Sequence, residues 1–373
     1  MGVMRWGSTM TIALSAIAAA CSDGAGPQAG QRLVLSPPWA SIEVGDTIVG
    51  DTARFIYLDS AGAVVRADSV AWSSTDASVA RIDAAGRVQA LRAGVTTIRG
   101  AVGSATASQR LTVTDPVLVG AGDIGTCTSN TDESTALLLD SLSGTVFTAG
   151  DNDYADAMPA PAYGVCFDST WGRHKRRIRP AAGDDDPRDS ALDDYFAYFG
   201  PAAHGPTGYY SYDLGAWHIV VLNTASPLDS AQIQWLRADL VGHPKLCTLA
   251  ISHRPRFSSG NARSSPGQAP VFEALYDAHA ELVLSGNDHD YERFAPQAPD
   301  QTPDPVGGLV AIVVGTGGRS HGRINLPLEV NSVVQNADTY GLLRLELHAT
   351  SYNWRFIPVA GRTFSDAGSA ACH

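Results

Sequence analysis

Short acidic or histidine-bearing segments recur just after apolar β-forming runs, and that placement constrains the chain more than any other feature. In order they are Gly122-Asp123-Ile124-Gly125, Gly150-Asp151-Asn152-Asp153-Tyr154, Gly183-Asp184-Asp185-Asp186, Ser252-His253-Arg254-Pro255 and Gly286-Asn287-Asp288-His289-Asp290-Tyr291-Glu292-Arg293. Runs at 116–120, 144–148, 248–251 and 281–284 read as buried strands. Amphipathic stretches at 132–142, 230–241 and 271–278 read as helices that cover sheet faces. The alternation predicts a layered α/β domain with antiparallel hairpins at 209–224 and 340–356. Open α/β sheets gather their ligands beyond the carboxyl ends of the strands. Five acceptor-rich loops brought to one such edge would repel one another unless cations sat among them.

Upstream the pattern changes. Short β-rich runs near 40–44, 52–57, 70–72, 94–98 and 109–113, with no helical period between them, predict a small all-β sandwich over 33–115. Asp115-Pro116 closes it, because proline cannot continue a central strand, and the α/β domain follows over 117–373. At the N-terminus Arg5, the apolar stretch 10–20 and Ala18-Ala19-Ala20-Cys21 have the layout of a signal peptide, too short to span a bilayer. The cysteine after small residues resembles a lipoprotein signal, with residues 1–21 processed, Cys21 acylated to give a membrane anchor, and 22–32 serving as a linker. Cys127, Cys166, Cys247 and Cys372 remain, an even number that suits two disulfides in an exported chain, with three possible connectivities. A formal charge of -12 argues against a nucleic-acid partner. The one basic cluster, His174-Lys175-Arg176-Arg177, reads as a solvated strand or loop edge.

The five polar segments match, in order, the GDxG, GDxxY, GNH(D/E), HxP and GHxH motifs, and the chain resembles the calcineurin-like metallophosphoesterases. The tyrosine of the second segment points to their purple-acid-phosphatase branch. The likeness extends through filler such as Trp171-Gly172-Arg173-His174-Lys175 and Gly315-Thr316-Gly317-Gly318. It implies a four-layer fold in which a β-sandwich is flanked by helices, and hydrolysis of phosphoric esters at two metal ions. Asp123, Asp151, Tyr154 and His289 would hold the first ion. Asp151, Asp184, His253 and Asn287 would hold the second. The phenolate implies Fe(III) in the first position, with Mn, Zn, Fe or Mg in the second. The same resemblance pairs Cys127 with Cys166 and Cys247 with Cys372. Upstream, Val44-Gly45-Asp46-Thr47 and Ala71-Trp72-Ser73-Ser74-Thr75-Asp76 resemble the bacterial Ig-like group-2 family, whose domains are usually spacers or adhesion modules.

Three positions depart from the metallophosphoesterase pattern. Asp184-Asp185 stands where the family has Asn-His, and Asn287 opens the fifth motif in place of His. Losing a nitrogen donor at Asn287 tilts the second position toward harder ions. Asp185 replaces a histidine that meets the leaving group, and an ionised carboxylate there is a poor acid. Arg254 reads equally as a phosphate contact or a surface ion pair. His204, His218 and His321 read first as structural histidines and second as groups touching the site, with His321 the best placed. A calcium loop at 184–186 is the alternative for the third segment. Two other functions follow from the departures and the Ig-like module: a pseudoenzyme that keeps one ion and binds a phosphorylated ligand, or an envelope adhesion protein.

Overall fold

The computed structural model describes residues 70–373 apart from 103–104, 128, 155–162 and 187–191, and before residue 70 it describes 32–36, 41–45, 47–48, 54–58 and 64–65. The signal segment, Cys21 and residues 22–31 of the linker lie outside the described residues.

The N-terminal part is all β. A four-stranded sheet runs in the order Ser41–Glu43, Ala105–Thr114, Gly94–Val102, Ala71–Ser74, beside two small sheets built on Arg54–Leu58 and Val88–Ala90. Val79, Ala80, Val88, Ala90, Ile98, Leu111 and Val113 form its core. Leu111 and Val113, two residues apart, bury the same face of their strand, the period a half-buried strand requires. Asp115-Pro116 carries the chain from Ala105–Thr114 into the next strand, Val117–Ala121.

The rest of the chain is built on two sheets. A six-stranded sheet runs Ile178–Ala181, Thr145–Ala149, Val117–Ala121, Gly341–Leu347, Ser351–Pro358, Ala367–Ala371, its first three strands parallel. A seven-stranded sheet runs Tyr210–Leu214, Trp217–Val221, Cys247–Ile251, Leu282–Ser285, Val310–Val314, Tyr291–Phe294, Ser332–Asn336, with four parallel strands at its centre. Alternation decides what each central strand faces. Trp217, Ile219 and Val221, Cys247, Leu249 and Ile251, and Leu282 and Leu284 pack into the core shared with the six-stranded sheet. Val220, Ala250 and Val283 point the other way, with Leu236, Val271, Phe272 and Leu275 of helices Ser230–Gly242 and Ala269–Asp277. Helix Thr131–Ser141 contributes Ala136 and Leu139 beside the six-stranded sheet. This is the four-layer arrangement expected, with both hairpins and all three helices within a few residues of their sequence limits.

Both disulfides pair as the resemblance implied, Cys127 with Cys166 and Cys247 with Cys372. The basic cluster corrects one expectation. It lies in a 3-10 helix, Trp171–Arg177, rather than on a solvated edge. The Arg177 guanidinium donates to the carbonyls of Leu139, Leu142 and Gly144 and so caps the end of helix Thr131–Ser141, where carbonyls lack partners within the helix. Arg173 pairs with Glu133 and Asp140 of that helix.

Candidate metal centre

Each donor-bearing segment begins where a parallel strand ends. Asp123 follows Val117–Ala121, Asp151 follows Thr145–Ala149, Asp184 follows Ile178–Ala181, His253 follows Cys247–Ile251 and Asn287 follows Leu282–Ser285. Asp123, Asp151 and Asn287 adopt left-handed backbone angles, with φ of 59°, 50° and 68°. Such conformations are costly for side-chain-bearing residues and concentrate at functional sites. Gly183 lets the third loop close in, because a Cβ there would lie 2.1 Å from Asp151 Oδ1. The Gly150 backbone, at φ 80°, passes against the His253 ring where a Cβ would collide.

The two sheets bring the donors together. Tyr154 Oη lies 2.8 Å from Asp123 Oδ1, 2.8 Å from Asp151 Oδ2 and 3.2 Å from His289 Nε2. His253 Nε2 lies 3.2 Å from Asp151 Oδ1 and 3.0 Å from Asp184 Oδ1. Asp123, Asp151 and His253 place one donor atom each within 4.8 Å of the others, and all three are buried. The Asn287 backbone N–H donates to Asp123 Oδ2 at 2.9 Å and that of Asp185 to Asp151 Oδ1 at 2.8 Å, so both carboxylates are aimed by the loops.

The donor set fits cations. His253 Nδ1–H donates to the Ala149 carbonyl at 2.8 Å, which orients the ring and leaves Nε2 facing the carboxylates. Among the described residues, His253 Nε2 and Asp184 Oδ1 are buried atoms without a hydrogen-bond partner, although they face each other. Burial pushes Asp123 up to about 6, against the pull of His253 and His289. Burial raises the Tyr154 phenol well above its ordinary value, and the charges of Asp123 and Asp151 add to the rise. Burial alone would lower the His253 imidazole, but Asp151 and Asp123 outweigh it and hold it well above the usual range. A buried set of carboxylates, phenol and imidazole that holds on to protons in this way has an affinity for positive charge, and hard or borderline metal ions supply it.

Arg254 lies at the rim, where its guanidinium meets Asp184 Oδ2 at 3.0 Å and the Thr224 carbonyl at 3.1 Å. It thus neutralises the carboxylate that replaces asparagine. Asp185 is exposed at the mouth. Partial burial, then the charges of Asp151 and Asp184, raise its carboxyl to about 6. Asp186 turns inward and accepts from the backbone N–H of Gly183 and Asn152, the Asn152 amide and the Tyr163 hydroxyl. That inward turn excludes a calcium loop over 184–186. The three other histidines take structural places: His204 stacks on Tyr210 at 4.1 Å, His321 on Tyr340 at 3.8 Å, and His218 lies between carboxylates at the far end of its strand.

Sequence reasoning passed over several supporting groups. Thr224 Oγ1 accepts the backbone N–H of both His253 and Arg254. Its loop is held by Gln232, which accepts from Asn223 N–H and donates to Asn223 O. Asp229 caps the same helix through Gln232 N–H at 2.7 Å, an interaction that stabilises by about 1 kcal/mol. The Arg319 guanidinium lies 4.1 Å over the Tyr154 ring, one residue past the Gly-rich turn that the resemblance covers. Asp290 is buried beside Asp123, Asp288 and Glu292, and burial with those charges pushes it up to about 8. Its place in the acidic fifth segment was the only available signal.

The fold is similar to that of metallophosphoesterases, and the cluster of donors lies at the sheet edge where open α/β sheets place their ligands. Residues 57–113 match the bacterial Ig-like domain (group 2). Purple acid phosphatase 22 of Arabidopsis thaliana is 32% identical over 122 residues, 31% of this chain and 28% of that protein. Purple acid phosphatase 21 is 34% identical over the same length. The chain thus spans less than a third of the length of these relatives. Among solved structures, purple acid phosphatase PPD1 of yellow lupin (Lupinus luteus) superposes with a TM-score of 0.55 at 14% identity, over 88% of this chain and 70% of that one. GAP50, the anchor in the inner membrane complex of Plasmodium, gives 0.57 at 15% identity, over 70% of this chain and 90% of that one. This protein therefore carries a match to the bacterial Ig-like domain ahead of a region whose fold is similar to that of the purple acid phosphatases.

Proposed function

We propose that the domain hydrolyses phosphoric esters at a binuclear metal centre. The observation that carries the reading is the convergence of His253 Nε2 and Asp184 Oδ1, buried atoms with no well-formed hydrogen bond, beside Asp151. Asp123, Asp151, Tyr154 and His289 would hold one ion, with the phenol suited to Fe(III). Asp151, Asp184, His253 and Asn287 would hold a divalent partner (Mn, Zn, Fe or Mg). Two such ions supply Lewis acidity to the phosphoryl oxygens and lower the pKa of a water nucleophile. Asp151 joins the two halves and fixes the spacing of the donors. With Asp184 held by a cation, Arg254 at the rim would be free to meet a substrate phosphate with its fork of donors. Asp185 faces the mouth, where the neighbouring cations would hold it ionised and leave it no ready proton for a departing alkoxide. The substrates are therefore small phosphoesters with good leaving groups. Replacing Asp151 with Ala should abolish hydrolysis of nitrophenyl phosphate and lower metal content; undiminished turnover by the folded variant would remove the binuclear reading.

The departures favour one second reading, a domain that keeps the better-matched ion and binds a phosphorylated ligand without turnover. Metal content near one ion at this centre, with no hydrolysis, would select it. We also infer that the protein is exported and held at the envelope by a lipid on Cys21, with the Ig-like domain as spacer. Among the described residues no helix is long and apolar enough to cross a membrane. Cys21→Ser should then move the protein from the membrane fraction to the soluble one, and unchanged partitioning would count against the anchor.

A further inference from the structure

The strand Trp217–Val221 ends toward the metal centre, and His218 lies at its other end. Its neighbours Trp217 and Ile219 enter the core between the sheets, so His218 points to the helix-covered face. There it is almost fully buried and bonded at both ring nitrogens: Nδ1 lies 3.1 Å from Asp213 Oδ1 and Nε2 lies 2.8 Å from Asp239 Oδ2. Asp239 sits in the last turn of helix Ser230–Gly242, and His243 follows it by four residues, on the same face. His243 Nδ1 is 3.2 Å from Asp239 Oδ1. The donor atoms of His218, Asp239 and His243 all lie within 4.8 Å of one another.

We propose that these three residues form a second metal site, for a divalent ion of the zinc type. Two imidazoles and a carboxylate are a borderline donor set that leaves a fourth position for water. In a tetrahedral zinc shell neighbouring donors are about 3.3 Å apart, close to the 2.8 and 3.2 Å separations found here. Asp213 supplies the outer partner that metal-bound histidines ordinarily have, fixing the tautomer of His218 with Nε2 toward the ion. Its second oxygen is bound by Lys245 at 3.0 Å, so Asp213 is balanced and Asp239 carries the charge the ion meets. Ser211 donates to Asp239 Oδ1 at 2.8 Å and holds that carboxylate in place. The rings of His218 and His243 stack at 4.7 Å and 10°, so one must tilt for both nitrogens to address one ion. His243, half exposed at the helix end, has the room, and its Nδ1 leaves the Asp239 carbonyl, now at 2.9 Å, as it turns. His243 and Lys245 also line a surface cleft of about 440 Å³, so this edge of the site borders solvent.

The test is equilibrium dialysis of the full chain against buffered zinc, with metal content read for wild type, His243→Ala and Asp213→Asn. His243→Ala should bind one zinc fewer than wild type while nitrophenyl phosphate turnover is unchanged. Because the reading is a difference, it does not depend on how many ions the other centre takes. Asp213→Asn, which keeps His243 and Asp239, should weaken the affinity of that one ion about 10–100-fold. Equal zinc in wild type and His243→Ala, or an affinity untouched by Asp213→Asn, would overturn the proposal and leave the four side chains a hydrogen-bonded clasp.

Discussion

The candidate centre has two unlike halves. Asp123, Tyr154 and His289 agree with the family pattern, and Asp123 and Tyr154 are buried under the sheet edge. On the other side, Asp184, Asp185 and Asn287 all depart from it, and none of the three is buried. Exposure at Asp185, and the Arg254 pair at the half-buried Asp184, explain how such changes are tolerated. A carboxylate added beside water, and beside the Arg254 guanidinium, costs far less than one added in the protein interior. Asp151 belongs to both halves, and both it and His253, on the altered side, are retained. The comparison teaches that charge balance survives on the altered side, while the imidazoles that the resemblance implies at positions 185 and 287 are absent.

The comparison can be broken most directly at Asp151. If it joins both halves, Asp151→Ala should lower turnover by roughly 10³-fold or more, since several kcal/mol of transition-state stabilisation depends on both ions. A loss of less than tenfold in a folded variant would mean the halves work separately.

The altered half gives the next largest effect. The triple change Asp184→Asn, Asp185→His and Asn287→His should raise alkyl-ester turnover by about 10²-fold, with a smaller gain on nitrophenyl esters, because a positioned acid matters most where the leaving group needs a proton. Since the three share one site, single changes should fall short of the combined effect. An unchanged ratio of alkyl to aryl rates would show that these residues do not meet the leaving group.

The pH dependence of stability sharpens the buried half. Asp123 and Asp186 are raised to about 6 and Asp290 to about 8, chiefly by burial. A carboxyl raised in the folded state contributes stability that is complete below about pH 4 and is lost as pH rises through its folded value. His253, also raised, acts in the same direction, while Asp151, lowered by His253 against the effect of burial, acts in the opposite one. Urea midpoints for chelator-treated and manganese-loaded protein should therefore diverge between pH 4 and 8, with the treated protein falling behind. Parallel curves would contradict the crowding of acids at the centre.

Arg254 should give the smallest effect. It is partly exposed, and an exposed ion pair is worth up to about 1 kcal/mol, so Arg254→Ala should raise KM by about two- to fivefold with kcat little changed. A kcat loss above a hundredfold would make it a participant in the chemical step.

The same contrast governs what the sequence made legible. Strands such as Leu282–Ser285 and helices such as Ser230–Gly242 were evident because short apolar runs and amphipathic spacing are local signals. Asp123, Asp151 and His253 each sit two residues past a strand end, and with Tyr154 they were assigned through the motifs that carry the resemblance. The partner of Arg254 was not, since two readings stood level until the structure placed Asp184 3.0 Å away. Thr224 and Arg319 carried no pattern at all. They reach the site through a helix-held loop and a turn after a Gly-rich segment, contacts between positions distant in sequence. The basic cluster misled because capping of a helix end by Arg177, nearly forty residues from Leu139, is invisible to local charge counting. His218 read first as structural and second as touching the metal centre, and the direction of its strand carries it to the opposite edge.

Metal content measured together with nitrophenyl phosphate hydrolysis tests the central claim most directly. Metal-depleted His243→Ala protein, which lacks the separate zinc-type site, should regain activity as ions are added and reach its plateau at two per chain. The same protein carrying Asp151→Ala should bind fewer ions and stay inactive. Full activity without metal, or a plateau reached at one ion per chain, would contradict a binuclear phosphoesterase.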